Sequence, residues 1–220
     1  MNGLEVKLGK VLCGIPALEA MMGIGCGVIT IRCDDIRWLS RLISEIISRN
    51  HFSGGRILYL HWVDYHKRYW SIDYERLIDS GKSNGADVAS MLEDLVFQRS
   101  FSRDNTEVGA NWDMLERDGP FSLIILDSIP DLYLDSKEGS VPMTYAIGRF
   151  VQLCVRNGCV GIALDRANRP VHNYLAHISN VIIEVIVGPE LDISLIKHPA
   201  MADGVHLYPL RRQWTLRRWM

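Results

Sequence analysis

The most constraining feature of this 220-residue sequence is a short apolar run that ends in a carboxylate. Gly119-Pro120 interrupts the chain, and five of the next six residues, Phe121 to Leu126, are apolar before Asp127. A short continuous apolar run after a Gly/Pro break is typical of a strand buried on both faces, as in parallel sheets. Open α/β sheets bind ligands beyond the carboxyl ends of their strands. Asp127 therefore either faces a ligand site or caps the segment that follows.

Further strands and helices are predicted to alternate with this one along most of the chain. The predicted strands are 28–31, 56–60, 96–99, 121–126 and 159–164. The predicted helices are 36–50, 71–81 with Ser71 as its cap, 86–95, one through Met114 and Leu115, and 143–156. Such alternation is typical of a parallel sheet with helices on its faces.

The C-terminal part has a different pattern. Residues 180–187 and 190–198 are predicted to be two strands joined by a tight turn at Gly188-Pro189, and residues 204–210 and 213–220 are candidates for one or two more. The sequence therefore predicts an α/β fold, with a mostly parallel twisted sheet flanked by helices and extended by antiparallel C-terminal strands. In the absence of an internal repeat or linker, we expect a single domain over residues 1–220.

Composition narrows the class of protein. A formal net charge of −2 excludes a generally basic nucleic-acid binder but allows a local basic patch. The five cysteines are odd in number and form no CxxC pair, which favours reduced thiols over a disulfide framework or zinc site. No signal peptide or membrane-length apolar run is evident, so we expect a cytoplasmic protein, or a nuclear one if the source is eukaryotic, without membrane contact.

The junction after the first predicted strand argues against phosphate binding. Strand 28–31 leads through Arg32-Cys33 into Asp34-Asp35, and a helix follows directly. A phosphate-binding loop needs glycines there, so that backbone N–H groups converge on the anion at the helix N-terminus. No GxxxxGK[ST] pattern is present, and two carboxylates at the helix start repel an anion.

Read in order, several segments resemble the RecA/RadA recombinase superfamily, nearest the core-only archaeal RadB and related recombinase paralogs. The segment LIILDSIPDL, at 123–132, resembles its Walker B strand. The other similar segments are CGIPALEAMMGIGCGVITI (13–31), RILYLHWVDY (56–65), VFQRSFSRDN (96–105) and ISLIKHPAMADGVHLYPL (193–210). Their order and spacing over nearly the whole chain match the family, which implies a RecA-like core domain.

The departures from the family pattern concern the nucleotide site. The Walker A lysine and Ser/Thr are absent, Val63 stands where the family has its catalytic glutamate, and Asp165-Arg166 replace an Asn-Gln pair that senses the γ-phosphate. His61 and Asp64 lie near the missing glutamate without aligning with it. Asp127 is the one Walker B remnant. Without this apparatus phosphoryl transfer lacks positioning and charge stabilisation, so we expect a pseudo-ATPase with no catalytic residues, bound nucleotide or other cofactor.

The resemblance then implies a non-catalytic recombinase paralog that assists homologous recombination and DNA repair. Its expected partners are a recombinase or recombinase paralog, as a hetero- or homo-oligomer, single-stranded DNA, or some combination of these. The alternative is a divergent RecA-like ATPase, with a non-standard site that uses Asp127 or a site that a partner completes.

Two basic segments are candidates for the DNA contact. In the resembled family, the loop at 165–172 faces the DNA, and the terminal segment LRRQWTLRRWM interleaves arginines with tryptophans, as suits phosphate neutralisation and base stacking. The alternative for the tail is an edge strand with arginines in solvent. The candidate DNA-binding residues are Arg166, Arg169 and His172 with the nearby Asn168, and Arg211, Arg212, Trp214, Arg217, Arg218 and Trp219.

Three other kinds of site are weaker alternatives. Two groups of histidines are candidates for metal ligands: His61 and His66 around Asp64, and the pair His172 and His177. Neither group has a recognised metal-ligand spacing, so no metal is expected. Ser128 follows a buried strand but has no GxSxG nucleophile elbow, which argues against a serine hydrolase. Four tryptophans are candidates for either core or partner interface: Trp38, Trp62, Trp70 and Trp112.

Overall fold

A computed structural model of the chain describes residues 11–23, 27–51, 55–62, 72–100, 105–127, 140–165, 167, 173–188, 191–197 and 206–210. Its helices are α1 Pro16–Met21, α2 Ile36–His51, α3 Tyr74–Ser83, α4 Val88–Asp94, α5 Asn105–Asp118, α6 Ser140–Asn157 and α7 Asn173–Ile178. Its strands are β1 Gly27–Cys33, β2 Arg56–Trp62, β3 Leu95–Ser100, β4 Phe121–Asp127, β5 Val160–Asp165, β6 Val181–Val187, β7 Leu191–Lys197 and β8 His206–Leu210.

The described strands form one eight-stranded sheet in the order β3-β2-β4-β5-β1-β6-β7-β8. The six strands from β3 to β6 run parallel, and β7 and β8 continue the sheet in antiparallel pairing. The parallel strands β4 and β5 are almost continuously buried because helices cover both faces of the sheet. The predicted fold class is confirmed, including the antiparallel C-terminal extension.

One hydrophobic core lies between the sheet and α1 to α4. The buried apolar residues of α2 recur at helical spacing, and Ile43 and Ile47 are fully inaccessible to solvent. They pack against inward-facing residues of the strands, among them Ile29 and Ile31 of β1.

A second core lies on the opposite face, beneath α5, α6 and α7. Phe150 and Cys154 of α6 pack so closely on β5 that a Cβ at Gly161 would lie 2.5 Å from the Cys154 Sγ atom and 2.6 Å from the Phe150 ring. Glycine is required here because of this close approach of helix to strand.

The start of α3 differs from the sequence-based expectation. The predicted cap, Ser71, lies outside the described residues, and Asp73 is the N-cap of α3 instead. The Asp73 carboxylate accepts hydrogen bonds from the backbone N–H groups of Glu75 and Arg76, at 3.1 and 3.3 Å. An Asp at this position satisfies two helix-terminal donors that have no partner within the helix.

No helix in the described part of the chain is long and apolar enough to cross a membrane.

Candidate functional site

The carboxyl edge of the parallel strands brings together polar residues from distant parts of the sequence. Asp127 ends β4, Asp165 ends β5, and Arg32 and His61 stand one residue before the ends of β1 and β2. All four are at least nine-tenths buried. This edge is where open α/β sheets bind ligands, so it is the candidate functional site.

The junction between β1 and α2 consists of only two residues, Asp34 and Asp35. The Asp35 carboxylate accepts a hydrogen bond from the backbone N–H of Trp38 at 2.9 Å, which makes Asp35 the cap of α2. A phosphate at a helix N-terminus would need these same N–H groups and the positive end of the helix dipole. Here, a side chain of the protein already uses one of these donors, and both junction residues are acidic.

Arg32 lies at the centre of a buried ion-pair cluster that spans three adjacent strands. Its Nε donates to the Asp165 carboxylate at 3.2 Å, and its Nη1 donates to the Glu184 carboxylate. Its Nη2 donates to the backbone carbonyl of Ala167 at 3.3 Å. The Arg32 side chain is 5% exposed, compared with 10% for Asp165 and 24% for Glu184. Burial of this guanidinium is tolerated because its charge is compensated and each nitrogen atom has an acceptor.

Asp127 belongs to a second buried cluster, which joins β4 to β2. The Tyr59 hydroxyl donates a hydrogen bond to the Asp127 carboxylate, and the His61 Nδ1 atom lies 3.3 Å from the same oxygen, Oδ2. Asp127 is 1% exposed and His61 is 6% exposed. The carboxylate thus stabilises the neighbouring strand β2, rather than standing open to solvent as a metal-orienting aspartate would.

The aromatic ring of Phe97, on β3, covers one side of this second cluster. Phe97 lies parallel to Tyr59, with ring centroids 5.5 Å apart and planes inclined by 12°. It also stacks with His61 at 6.2 Å. The apolar ring keeps water from one side of the hydrogen bond between Tyr59 and Asp127, which strengthens that bond.

Two cysteines, Cys13 and Cys33, are buried in the first hydrophobic core. Burial raises the pKa of the Cys33 thiol, at the end of β1, to about 12, and the carboxylates of Asp35 and Asp34 act in the same direction. Burial likewise raises the pKa of Cys13 to about 12. Neutral thiols are poor nucleophiles and poor metal ligands, so Cys33 adds no covalent chemistry to this edge.

All of the residues predicted to contact DNA lie outside the described part of the chain. They are Arg166, Asn168, Arg169, His172, Arg211, Arg212, Trp214, Arg217, Arg218 and Trp219. Their neighbours locate where these segments begin. The first segment starts at Asp165 and Ala167, beside Arg32, and the second follows Leu210, whose Cα pairs with that of Leu191 in β7.

The other sequence-based alternatives receive no support from the residues that the structure describes. Within the described residues, no three His, Cys, Asp or Glu side chains are grouped as a metal site would require. Ser128, Asp64 and His66 lie outside this part of the chain. Of the tryptophans, Trp112 is buried in the second core, and Trp38 is half-buried against the first.

The sequence analysis missed three residues of the candidate site: Arg32, Glu184 and Tyr59. Arg32 was assigned to the connection after a strand ending at residue 31, whereas β1 continues to Cys33. A charged residue directly after an apolar run was the available signal, but its partners follow it by more than 130 residues. Tyr59 and His61 are two residues apart in β2, so their side chains lie on the same face of the strand. This period-2 spacing could have grouped the two residues.

Comparison with known proteins supports the architecture described above. No family model and no curated protein matches the sequence. Among solved structures, the crystal structure of the RadB recombinase is similar with a TM-score of 0.68, over 89% of this chain and 93% of that chain. The chain has a RecA-like α/β fold. Sequence identity in this comparison is 14%, so the similarity concerns the RecA-like fold and not the activity of the RadB recombinase.

Proposed function

We propose that the protein is a recombinase paralog that assists homologous recombination without hydrolysing ATP. It binds single-stranded DNA and a recombinase or a recombinase paralog. The proposal joins a RecA-like fold, similar to that of the RadB recombinase, to a nucleotide site that has lost its phosphate-handling residues.

The β1–α2 junction is the observation that carries the proposal. A phosphate loop at this point would need several residues with free N–H groups. This chain has two aspartates there, and Asp35 caps the helix with its own side chain. Next to the junction, the Arg32 guanidinium is already paired with two carboxylates, so its charge is not available to a phosphate.

The state of Asp127 supports the same conclusion. In a working site this carboxylate would orient a hydrated Mg²⁺ beside the phosphates. Here, the Asp127 Oδ2 atom accepts the Tyr59 hydroxyl and lies 3.3 Å from His61 Nδ1. Recruiting Asp127 for a metal ion would require breaking these buried contacts.

The test is equilibrium binding of labelled single-stranded DNA to the purified protein at two salt concentrations, with and without ATP and Mg²⁺. We expect salt-sensitive binding that ATP does not change. Replacing Arg211, Arg212, Arg217 and Arg218 together by alanine should weaken binding and flatten the slope of log affinity against log salt by up to about 3, at about 0.7 per lost phosphate contact.

A matched control removes two exposed charges elsewhere, Lys82 of α3 and Arg117 of α5, and should leave the affinity unchanged. Unchanged affinity in the four-arginine variant would favour the alternative that the terminal segment, residues 210–220, is an edge strand that does not contact DNA. ATP binding with nanomolar to micromolar affinity in calorimetry would contradict the loss of the nucleotide site.

A divergent ATPase remains the second candidate, because Asp127 is retained at the end of β4. Its discriminating variant is Asp127→Asn, which keeps an acceptor for Tyr59 and removes the negative charge that a metal ion needs. We expect the wild-type protein to show no turnover. A measurable turnover, alone or with a partner, that disappears in a folded Asp127→Asn protein would establish the ATPase and refute the proposal above.

A further inference from the structure

The contacts of Arg32 extend beyond the sheet that contains it. The pairing of β1 with β5 ends where Arg32 lies opposite Asp165, and Ala167 is two residues further along the chain. Two nitrogen atoms of Arg32 bind the carboxylates of Asp165 and Glu184, whereas Nη2 reaches past the end of β5 to the Ala167 carbonyl.

We propose that Arg32 is a positioning residue for the chain that follows β5: it holds Asp165 and Ala167, on either side of Arg166, from inside the protein and without a ligand. The functional consequence rests on the proposed function, because the segment that begins at Arg166 carries three residues predicted to contact DNA: Arg166, Arg169 and His172. The anchoring itself does not depend on DNA.

The choice of arginine at this position supports the inference. Neutralising one of the two carboxylates requires only a positive charge, which lysine also supplies. A single ammonium group cannot reproduce the planar fork that reaches three acceptors in different directions, here Asp165, Glu184 and the Ala167 carbonyl. Arg32→Lys therefore separates the two roles: it keeps the charge and removes the geometry.

The location of the anchor gives it a specific meaning. In the resembled family, an Asn-Gln pair that senses the γ-phosphate stands where this chain has Asp165-Arg166. In this chain, the corresponding residue Asp165 is paired with Arg32, an internal cation that is always present. The inference therefore predicts that Asp165 and Ala167 are held in the same place with and without nucleotide.

Limited proteolysis of the full chain with trypsin measures this anchoring directly, since the Arg166–Ala167 bond lies between the two anchored residues. In Arg32→Lys, we expect cleavage after Arg166, followed by mass spectrometry, to accelerate at least about tenfold, the factor that corresponds to losing one charge-assisted hydrogen bond. The Arg41–Leu42 bond in the interior of α2 serves as the internal reference for global unfolding.

The control variant is Arg149→Lys, because Arg149 also bridges two carboxylates, those of Asp113 and Glu116, but between α5 and α6. Trypsin should cleave this variant after Arg166 at the wild-type rate. The inference is overturned if Arg32→Lys leaves the rate at Arg166 unchanged, or if the rates at Arg166 and Arg41 rise equally.

Binding of single-stranded DNA to the same variant then tests the consequence. We expect Arg32→Lys to bind more weakly than wild type and Arg149→Lys to bind normally. A wild-type protein that binds no DNA would refute the proposed function, whereas the cleavage result would still decide whether Arg32 anchors Asp165 and Ala167.

Discussion

Replacement of Arg32 by methionine is expected to lower the free energy of unfolding by about 3 kcal/mol, which is large for one substitution in a domain of this size. Methionine fills much of the same volume but leaves the Asp165 and Glu184 carboxylates facing each other without a cation. Asp165 is 10% exposed and Glu184 is 24% exposed, so water relieves this repulsion only in part. The partial exposure of Glu184 places the effect at the lower end of the range for broken buried ion pairs.

Unfolding by denaturant measures this loss in the free energy of unfolding, and two further variants identify its cause. Arg149→Met removes an arginine whose partner Asp113 is 64% exposed and whose other partner, Glu116, still has Arg156, so it should cost at most about 1 kcal/mol. Combining Arg32→Met with Asp165→Asn and Glu184→Gln removes all three charges and should recover part of the loss. An Arg32→Met protein as stable as wild type, or a triple variant that recovers nothing, would show that charge compensation at this edge is unimportant.

Tyr59→Phe is expected to cost about 2 kcal/mol, in the range measured for hydrogen bonds to charged groups. The substitution preserves the ring that stacks on Phe97 and removes only the hydroxyl that donates to Asp127. Asp127 is 1% exposed, so water cannot replace the missing donor without disturbing the packing. The destabilisation should therefore be visible as a lower denaturation midpoint with an unchanged m-value.

A suitable control for this substitution is Tyr145→Phe, because Tyr145 lies on α6 with 40% of its surface exposed and should be replaceable within about 0.5 kcal/mol. A double-mutant cycle with Asp127→Ala, which removes the acceptor of the Tyr59 hydroxyl, isolates the contact between the two side chains. If Tyr59→Phe and Asp127→Ala have strictly additive effects, the hydrogen bond does not contribute to stability and the substitution acts through another group.

Both predictions concern the protein's own side chains at the carboxyl edge of the sheet, where a ligand would otherwise bind. Arg32 joins β1 to β5 and β6, while Asp127 joins β4 to β2. In a protein that binds nucleotide at this edge, some of these contacts would have to yield to the ligand. These buried contacts add to the evidence of the β1–α2 junction for a recombinase paralog that works without ATP.

Much of the fold could be predicted because its signals are local. The apolar run before Asp127 predicted β4, the helical spacing of isoleucines and leucines after Asp35 predicted α2, and the hairpin at Gly188-Pro189 predicted the antiparallel pairing of β6 and β7. The predicted cap of α3, Ser71, was wrong. Two possible cap residues, Ser71 and Asp73, lie within three residues of each other, and sequence alone does not decide which one starts the helix.

The sequence by itself determined the α/β class and the absence of a phosphate-binding pattern between β1 and α2. These features depend on residues that are neighbours in the chain. Only the tertiary structure decided which charges meet, because strand order places β1 between β5 and β6 and thereby brings Arg32 to Asp165 and Glu184. Pairing across 133 and 152 residues is set by the packing of the whole sheet, and no local pattern records it.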